Sequence, residues 1–106
     1  MGQDERTRRI GLNEALFRKV NESVHELDLD EEHDMLCECG DENCTAQIRI
    51  SSDAYEQLRS DSAQFAVVHG HTAPDVESVV AQTEGYEVVR KRAGLAQEIA
   101  EETDPR

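Results

Sequence analysis

Apolar residues at Ile10, Leu12, Leu16, Phe17, Val20, Val24 and Leu27 recur at the spacing of a helix. On a helical wheel they form a wide apolar arc, with Glu14, Arg18, Lys19, Glu22 and Glu26 on the opposite side. The pattern predicts one amphipathic helix that lays its apolar arc on the core. The spacings of Ile10, Phe17 and Val24, and of Val20 and Leu27, also suit a short helix-pairing seam, although it covers fewer than three heptads. Residues 1–8 are polar and are expected to be flexible.

Beyond the helix, Asp28 to Asp34 reads as an exposed acidic loop carrying His33, and Met35-Leu36 leads the chain into its first cysteine. Ile48 and Ile50 alternate with Gln47 and Arg49, as in a half-buried strand. Ser51-Ser52-Asp53 introduces a second helix in which Asp53 and Glu56 have capping-box spacing and Tyr55 and Leu58 turn inward before Asp61 ends it. Phe65 to Val68 is a second strand, with His69-Gly70-His71 at its end. After Pro74, the valines at 76, 79 and 80, the Thr83-Glu84-Gly85 turn and Tyr86 to Val89 read as a hairpin. Gly94 to Arg106 keeps only Leu95 and Ile99 as apolar anchors and reads as a frayed helix with an acidic tail. The predicted fold is α+β, an N-terminal helix packed on a small, mostly antiparallel sheet. A single domain over residues 9–92 is expected between the flexible segments 1–8 and 93–106.

Composition sharpens this picture. With 106 residues, 33% of them charged and a net charge of −13, the chain has room for one small core under an acidic surface. Such a surface repels nucleic acid and anionic membranes, because phosphate binding needs lysine and arginine to displace counterions. The one basic run, Arg90-Lys91-Arg92, has no interleaved aromatics and reads as a solvated strand end. No apolar run approaches the ~20 residues of a membrane span, and the charged N-terminus lacks a signal-peptide core. A soluble, cytoplasmic protein is expected, and any protein partner should present a basic surface.

The chemistry lies in Cys37-Glu38-Cys39-Gly40-Asp41-Glu42-Asn43-Cys44, which holds all three cysteines. A disulfide framework leaves one of three cysteines unpaired, so the spacing points to a metal knuckle, with Gly40 expected to take the positive φ of a tight bend. Free surface thiols are the plain alternative, since Glu38, Asp41 and Glu42 discourage thiolate formation without a cation. Three thiolates need a fourth ligand, and structural zinc sites are commonly Cys₃His. His71, at the end of the second strand, is the candidate, with His33 and His69 as alternatives; His25 reads as solvated on the polar side of the helix. Thiolate and imidazole suit Zn²⁺, whereas an iron–sulfur cluster normally asks for four cysteines. A zinc staple matters in so small a fold.

The Cys37-x-Cys39-Gly40-x₃-Cys44 spacing resembles the post-SET segment of lysine methyltransferases, a likeness of eight residues that implies zinc geometry and no methyl transfer. More of the chain is similar to a family of small, acidic, uncharacterised bacterial proteins of actinobacterial type. The matching pieces are Asn13 to Arg18 with Val20-Asn21-Glu22, the cysteine knuckle, Phe65-x-Val67 with Gly70-His71, Tyr86-x-Val88-Val89-x-Lys91 and the terminal Glu102 to Arg106. The resemblance favours His71 as the fourth ligand and implies no activity; His69 departs from its pattern.

Three functions are compatible with these residues. The first is a non-catalytic interaction or regulatory module with structural zinc. The second is a thiol/zinc redox sensor, which needs accessible thiolates. The third is a zinc hydrolase, disfavoured because three thiolates make zinc a poor Lewis acid, with Glu38 as its only nearby base.

Overall fold

The N-terminal repeat forms helix α1 (Gly2–Leu27) in the computed structural model, which describes residues 2–27 and 31–106. Its orientation reverses the expectation. The buried face is Thr7, Ile10, Gly11, Glu14, Arg18, Asn21 and Glu22, while Leu12, Leu16, Val20, Val24 and Leu27 are exposed. Of the predicted apolar arc, Ile10 alone is fully buried. Residues 2–8, expected to be flexible, are the first turns of the helix, and both Arg6 (2.8 Å) and Gln3 (3.1 Å) donate to Asp75.

The polar face points inward because the interior supplies a partner for its side chains. Arg18 donates to the carbonyls of Ser62 (2.7 Å) and Ala100 (2.8 Å), and its guanidinium lies 4.6 Å from the centre of the Phe65 ring. Asn21 donates to the Leu36 carbonyl (3.0 Å) and accepts the Leu36 N–H (2.8 Å), copying a strand's own hydrogen bonds. Glu22 accepts the Tyr55 hydroxyl at 2.8 Å. A smaller residue permits the close approach elsewhere: a Cβ at Gly11 would stand 2.8 Å from Ile99 Cγ2 on the terminal helix.

Strand β1 (Glu32–Leu36) pairs antiparallel with β2 (Gln47–Ser51), setting His33 opposite Ile50 and Met35 opposite Ile48. His33 is therefore buried in a strand, which corrects the exposed loop expected there; Asp28 to Asp30 lie outside the described residues. The period-two alternation that places His33 and Met35 on one face was hidden by the charges at 31, 32 and 34. Helix α2 (Ser52–Arg59) follows directly. Its cap is Ser51, whose hydroxyl accepts the Ala54 N–H at 3.1 Å, while Asp53 stands inside the first turn.

The second sheet has the order β3-β5-β4, all antiparallel, from β3 (Gln64–Val67), β4 (Glu77–Gln82) and β5 (Glu87–Lys91). The hairpin expected around Thr83-Glu84-Gly85 is the β4–β5 pair. Helix α3 (Leu95–Glu102) buries Ala96, Ile99 and Ala100 and packs on α1. The α+β class and the N-terminal helix on small antiparallel sheets are as the sequence predicts. One hydrophobic cluster gathers Met35, Ile48, Ile50, Tyr55, Leu58 and Ala66; another joins Cys37 and Cys39 to Phe65, Val67, Val89 and Ala100.

Charged side chains bridge these clusters. Lys91 is buried, with its ammonium between Glu14 and Glu77 (2.8 Å to Glu77), so the basic run is not a solvated strand end at its centre. Burial pushes the Glu14 carboxyl well above its ordinary range, and Lys91 pulls against that shift. The chain end is also engaged: Arg106 pairs with Glu22 and with Glu56, each at 2.7 Å. Arg106 brings the Glu56 carboxyl down to about 2 from its ordinary 4.5.

Lys91→Met leaves Glu14 and Glu77 without their shared cation, and should cost about 3–5 kcal/mol in urea unfolding. A loss below about 1 kcal/mol would show that the triad is dispensable. For Arg106→Ala the expected loss is smaller, about 1 kcal/mol or less, since that pair is partly exposed. Because Glu56 has a depressed folded pKa, the stability difference between wild type and Arg106→Ala should be full above pH 4.5 and disappear as the pH falls toward 2. Melting curves at stepped pH check this; a constant difference contradicts the pairing.

Candidate metal centre

The knuckle begins where β1 ends. Cys37 N–H donates to the Ala46 carbonyl (3.0 Å), extending the β1–β2 ladder, and Glu38 N–H donates to the Ala66 carbonyl (2.8 Å), which fastens the same segment to β3. The chain then turns at Asp41, whose side chain accepts the Asn43 N–H (2.9 Å) and whose carbonyl accepts the Cys44 N–H (3.0 Å). These bonds bring Cys44 back toward Cys37 and Cys39.

His71 arrives from the far side. The chain leaves β3 through a turn closed by a 2.9 Å bond from His71 N–H to the Val68 carbonyl, with Gly70 in its third position at φ 87°. A type II turn asks for such a residue there, and glycine takes it without a Cβ penalty. The imidazole Nδ1 consequently lies 3.6 Å from both Cys37 Sγ and Cys44 Sγ. The ligand atoms of Cys37, Cys39, Cys44 and His71 are all within 4.8 Å of one another.

That spacing fits a tetrahedral ion. Bonds of about 2.3 Å to sulfur and 2.0–2.1 Å to nitrogen imply a sulfur–nitrogen edge of about 3.6 Å. Cys37 and Cys39 are buried, Cys44 is half-buried and His71 is exposed, so the group lies at the protein surface with its thiol side turned inward. Burial pushes the Cys37 thiol up from its ordinary value; the Val68 N–H, 3.2 Å from its sulfur, acts the other way, and Cys39 and Cys44 raise it further. Burial likewise raises Cys39 against the Asp41 N–H. Without a cation these thiols hold their protons, and a soft metal ion would displace them.

The other histidines are engaged elsewhere. His69 lies 3.1 Å from a Glu87 carboxylate oxygen and 2.7 Å from the Thr83 carbonyl. His33 packs near Tyr55 and His25, with ring centroids 5.7 and 5.2 Å away. His25 is half-buried, 2.8 Å from Glu56 and 4.2 Å from the Tyr55 ring centroid, and so is not the solvated residue expected.

Glu38 and Gly40 hold the knuckle in place. Glu38 is fully buried, pairs with Arg59, and accepts hydrogen bonds from Asn21 (2.9 Å) and the Ala66 N–H (3.1 Å). It buttresses the knuckle with lone pairs already committed. Gly40 does not sit at positive φ, which among the described residues is confined to Gly70 and Gly94. It is small because α1 passes close: a Cβ there would be 2.5 Å from Ile10 Cγ2, and Asn13 on the same helix donates to the Gly40 carbonyl at 3.0 Å. Asn13 and Ile10 are the supports that the local cysteine spacing could not disclose. On the α1 side of the site lies a cleft of about 400 Å³ lined by residues including Arg6, Arg9, Cys39, Asp41 and His71.

Comparison with protein-family models, with curated proteins and with solved structures finds no match for this chain.

Gly40→Ala should destabilise the protein by about 1–3 kcal/mol by overpacking against Ile10. Combining it with Ile10→Ala should cost less than the sum of the two single changes in denaturant unfolding. Strict additivity would mean that the helix and the knuckle do not press on each other.

Proposed function

We propose that the chain is a zinc-binding protein in which Cys37, Cys39, Cys44 and His71 hold one structural Zn²⁺, and that it serves as a non-catalytic interaction or regulatory module. The observation that carries this reading is the convergence of three thiols and one imidazole, from segments 27 residues or more apart, within 4.8 Å. Zinc is the favoured ion because the donor set is soft, four-coordinate and of the structural Cys₃His type. Bound there, the ion ties the end of β3 to the β1–β2 connection and satisfies two thiols withdrawn from water. A net charge of −13 supports a partner with a basic surface and argues against nucleic acid.

A second reading, a thiol/zinc redox sensor, draws support from the half-buried Cys44 beside an exposed His71, which leaves an oxidant one open side. Hydrolysis has the weakest support, because Glu38, the only base suggested for it, is bound to Arg59, Asn21 and Ala66.

Native mass spectrometry of protein purified under reducing conditions should show one zinc per chain. Chelation at neutral pH should lower the melting temperature, since the ion binds the folded chain in preference to the unfolded one. His71→Ala should weaken zinc binding by more than about 100-fold, beyond the 10–100-fold loss usual when only a group supporting a ligand is removed. His33→Ala and His69→Ala should leave zinc affinity unchanged, whatever they do to stability. A metal-free, fully folded protein, or equal affinity in wild type and His71→Ala, contradicts the assignment.

A further inference from the structure

The apolar row that the fold leaves outside is ordered along α1. Leu12, Leu16, Val20 and Val24 stand four residues apart as a single ridge, continued by Leu27. Leu12 and Leu16 are each 59% exposed and Leu27 is 85% exposed. Five exposed aliphatic side chains offer apolar surface on the order of 500 Å², as large as the biggest patch on a typical monomer. Beside the ridge runs a groove of about 530 Å³, bordered by Leu12, Ala15, Leu16, Lys19, Thr103 and Pro105. The terminal residues thus form a wall beside the ridge.

Charge identifies the occupant. Gly2–Leu27 carries five acids (Asp4, Glu5, Glu14, Glu22 and Glu26) and five bases (Arg6, Arg8, Arg9, Arg18 and Lys19), so α1 is neutral and the whole −13 resides on the rest of the chain. This helix is where a second acidic copy can approach without meeting a field of its own sign. We propose that the outer face of α1 is a homodimer interface, in which the Leu12-Leu16-Val20-Val24 ridge of one protomer packs antiparallel against the same ridge of its partner. Ridge-into-groove packing of two four-spaced rows sets Leu16 near Val20 and Leu12 near Val24 across a two-fold axis. The antiparallel sense follows from the exposed charges that flank the ridge, Arg8 and Arg9 just before Leu12, with Asp4 and Glu5 a turn further out, and Glu26 just after Val24, which face opposite signs only in that arrangement. With the stems of Arg9 and Lys19, each copy buries on the order of 600 Å², or about 1,200 Å² in total, at the lower edge of stable specific interfaces.

Sedimentation of the zinc-loaded full chain over a micromolar-to-millimolar series tests this. The expected result is reversible association to twice the 11.9 kDa chain mass. Raising salt should change it little, because apolar burial drives it and screening of the Arg9–Glu26 attraction is offset by screening of the repulsion between the two acidic bodies. Leu16→Glu, and separately Val20→Glu, should raise the dissociation constant at least about 100-fold by burying unpaired charge, with melting temperature and zinc content kept near those of the wild-type monomer. Arg9→Glu and Glu26→Arg should each weaken the dimer, and the two together should restore it. A wild type that stays monomeric throughout overturns the proposal, even if the face captures an amphipathic helix of another protein. A dimer unaffected by both glutamate variants also overturns it, and failure of the charge swap to restore association overturns the antiparallel arrangement.

Discussion

Two thiols withdrawn from water, with a third thiol and an imidazole drawn to their open side, set the terms for the rest of this structure. A buried thiol can pack as a small apolar side chain, and Cys37 and Cys39 do pack against Phe65, Val67, Val89 and Ala100. Three sulfurs and an imidazole nitrogen within 4.8 Å of one another are a different matter, because each deprotonated thiol raises the cost of the next. A divalent cation would remove that conflict. It would also join parts of the chain 27 residues or more apart, and a cross-link gains most in principle where it closes a long loop.

The remaining interior is built largely from matched polar groups. Arg18, Glu38, Arg59, Glu14, Glu77 and Lys91 are buried, and every one of them has an ionic or hydrogen-bonded partner. Such pairs contribute less net stability than apolar residues of the same size, but breaking one leaves a stranded charge. They therefore specify how α1 sits without adding much to how firmly it sits. The consequence reaches the site through two contacts, Ile10 against Gly40 and Asn13 on the Gly40 carbonyl, by which the helix holds the knuckle's bend. The bend of the knuckle and the exposed apolar ridge thus both go with the burial of the polar face of α1.

The sequence disclosed what depends on near neighbours. The cysteine spacing, the alternation around Ile48 and Ile50, the second helix and the β4–β5 hairpin are all local patterns, and the structure contains them. His71 was legible because the end of an apolar strand is a place where a ligand can be aimed. What was hidden depends on partners far along the chain. Nothing near Arg18 announces that it will reach the carbonyls of Ser62 and Ala100, and nothing near Lys91 announces Glu14. An amphipathic wheel states which face is apolar, but not which face the interior takes. The charges at 31, 32 and 34 make His33 look exposed, although period-two alternation with Met35 turns it inward.

The central claim is a Cys₃His zinc centre, and X-ray absorption at the zinc edge of the purified, reduced protein addresses it most directly. A first shell of three sulfurs at about 2.3 Å and one nitrogen at about 2.0 Å is the result this account predicts. A shell of four light atoms, or of three sulfurs whose fourth partner is unchanged when His71 is replaced by alanine, would contradict it.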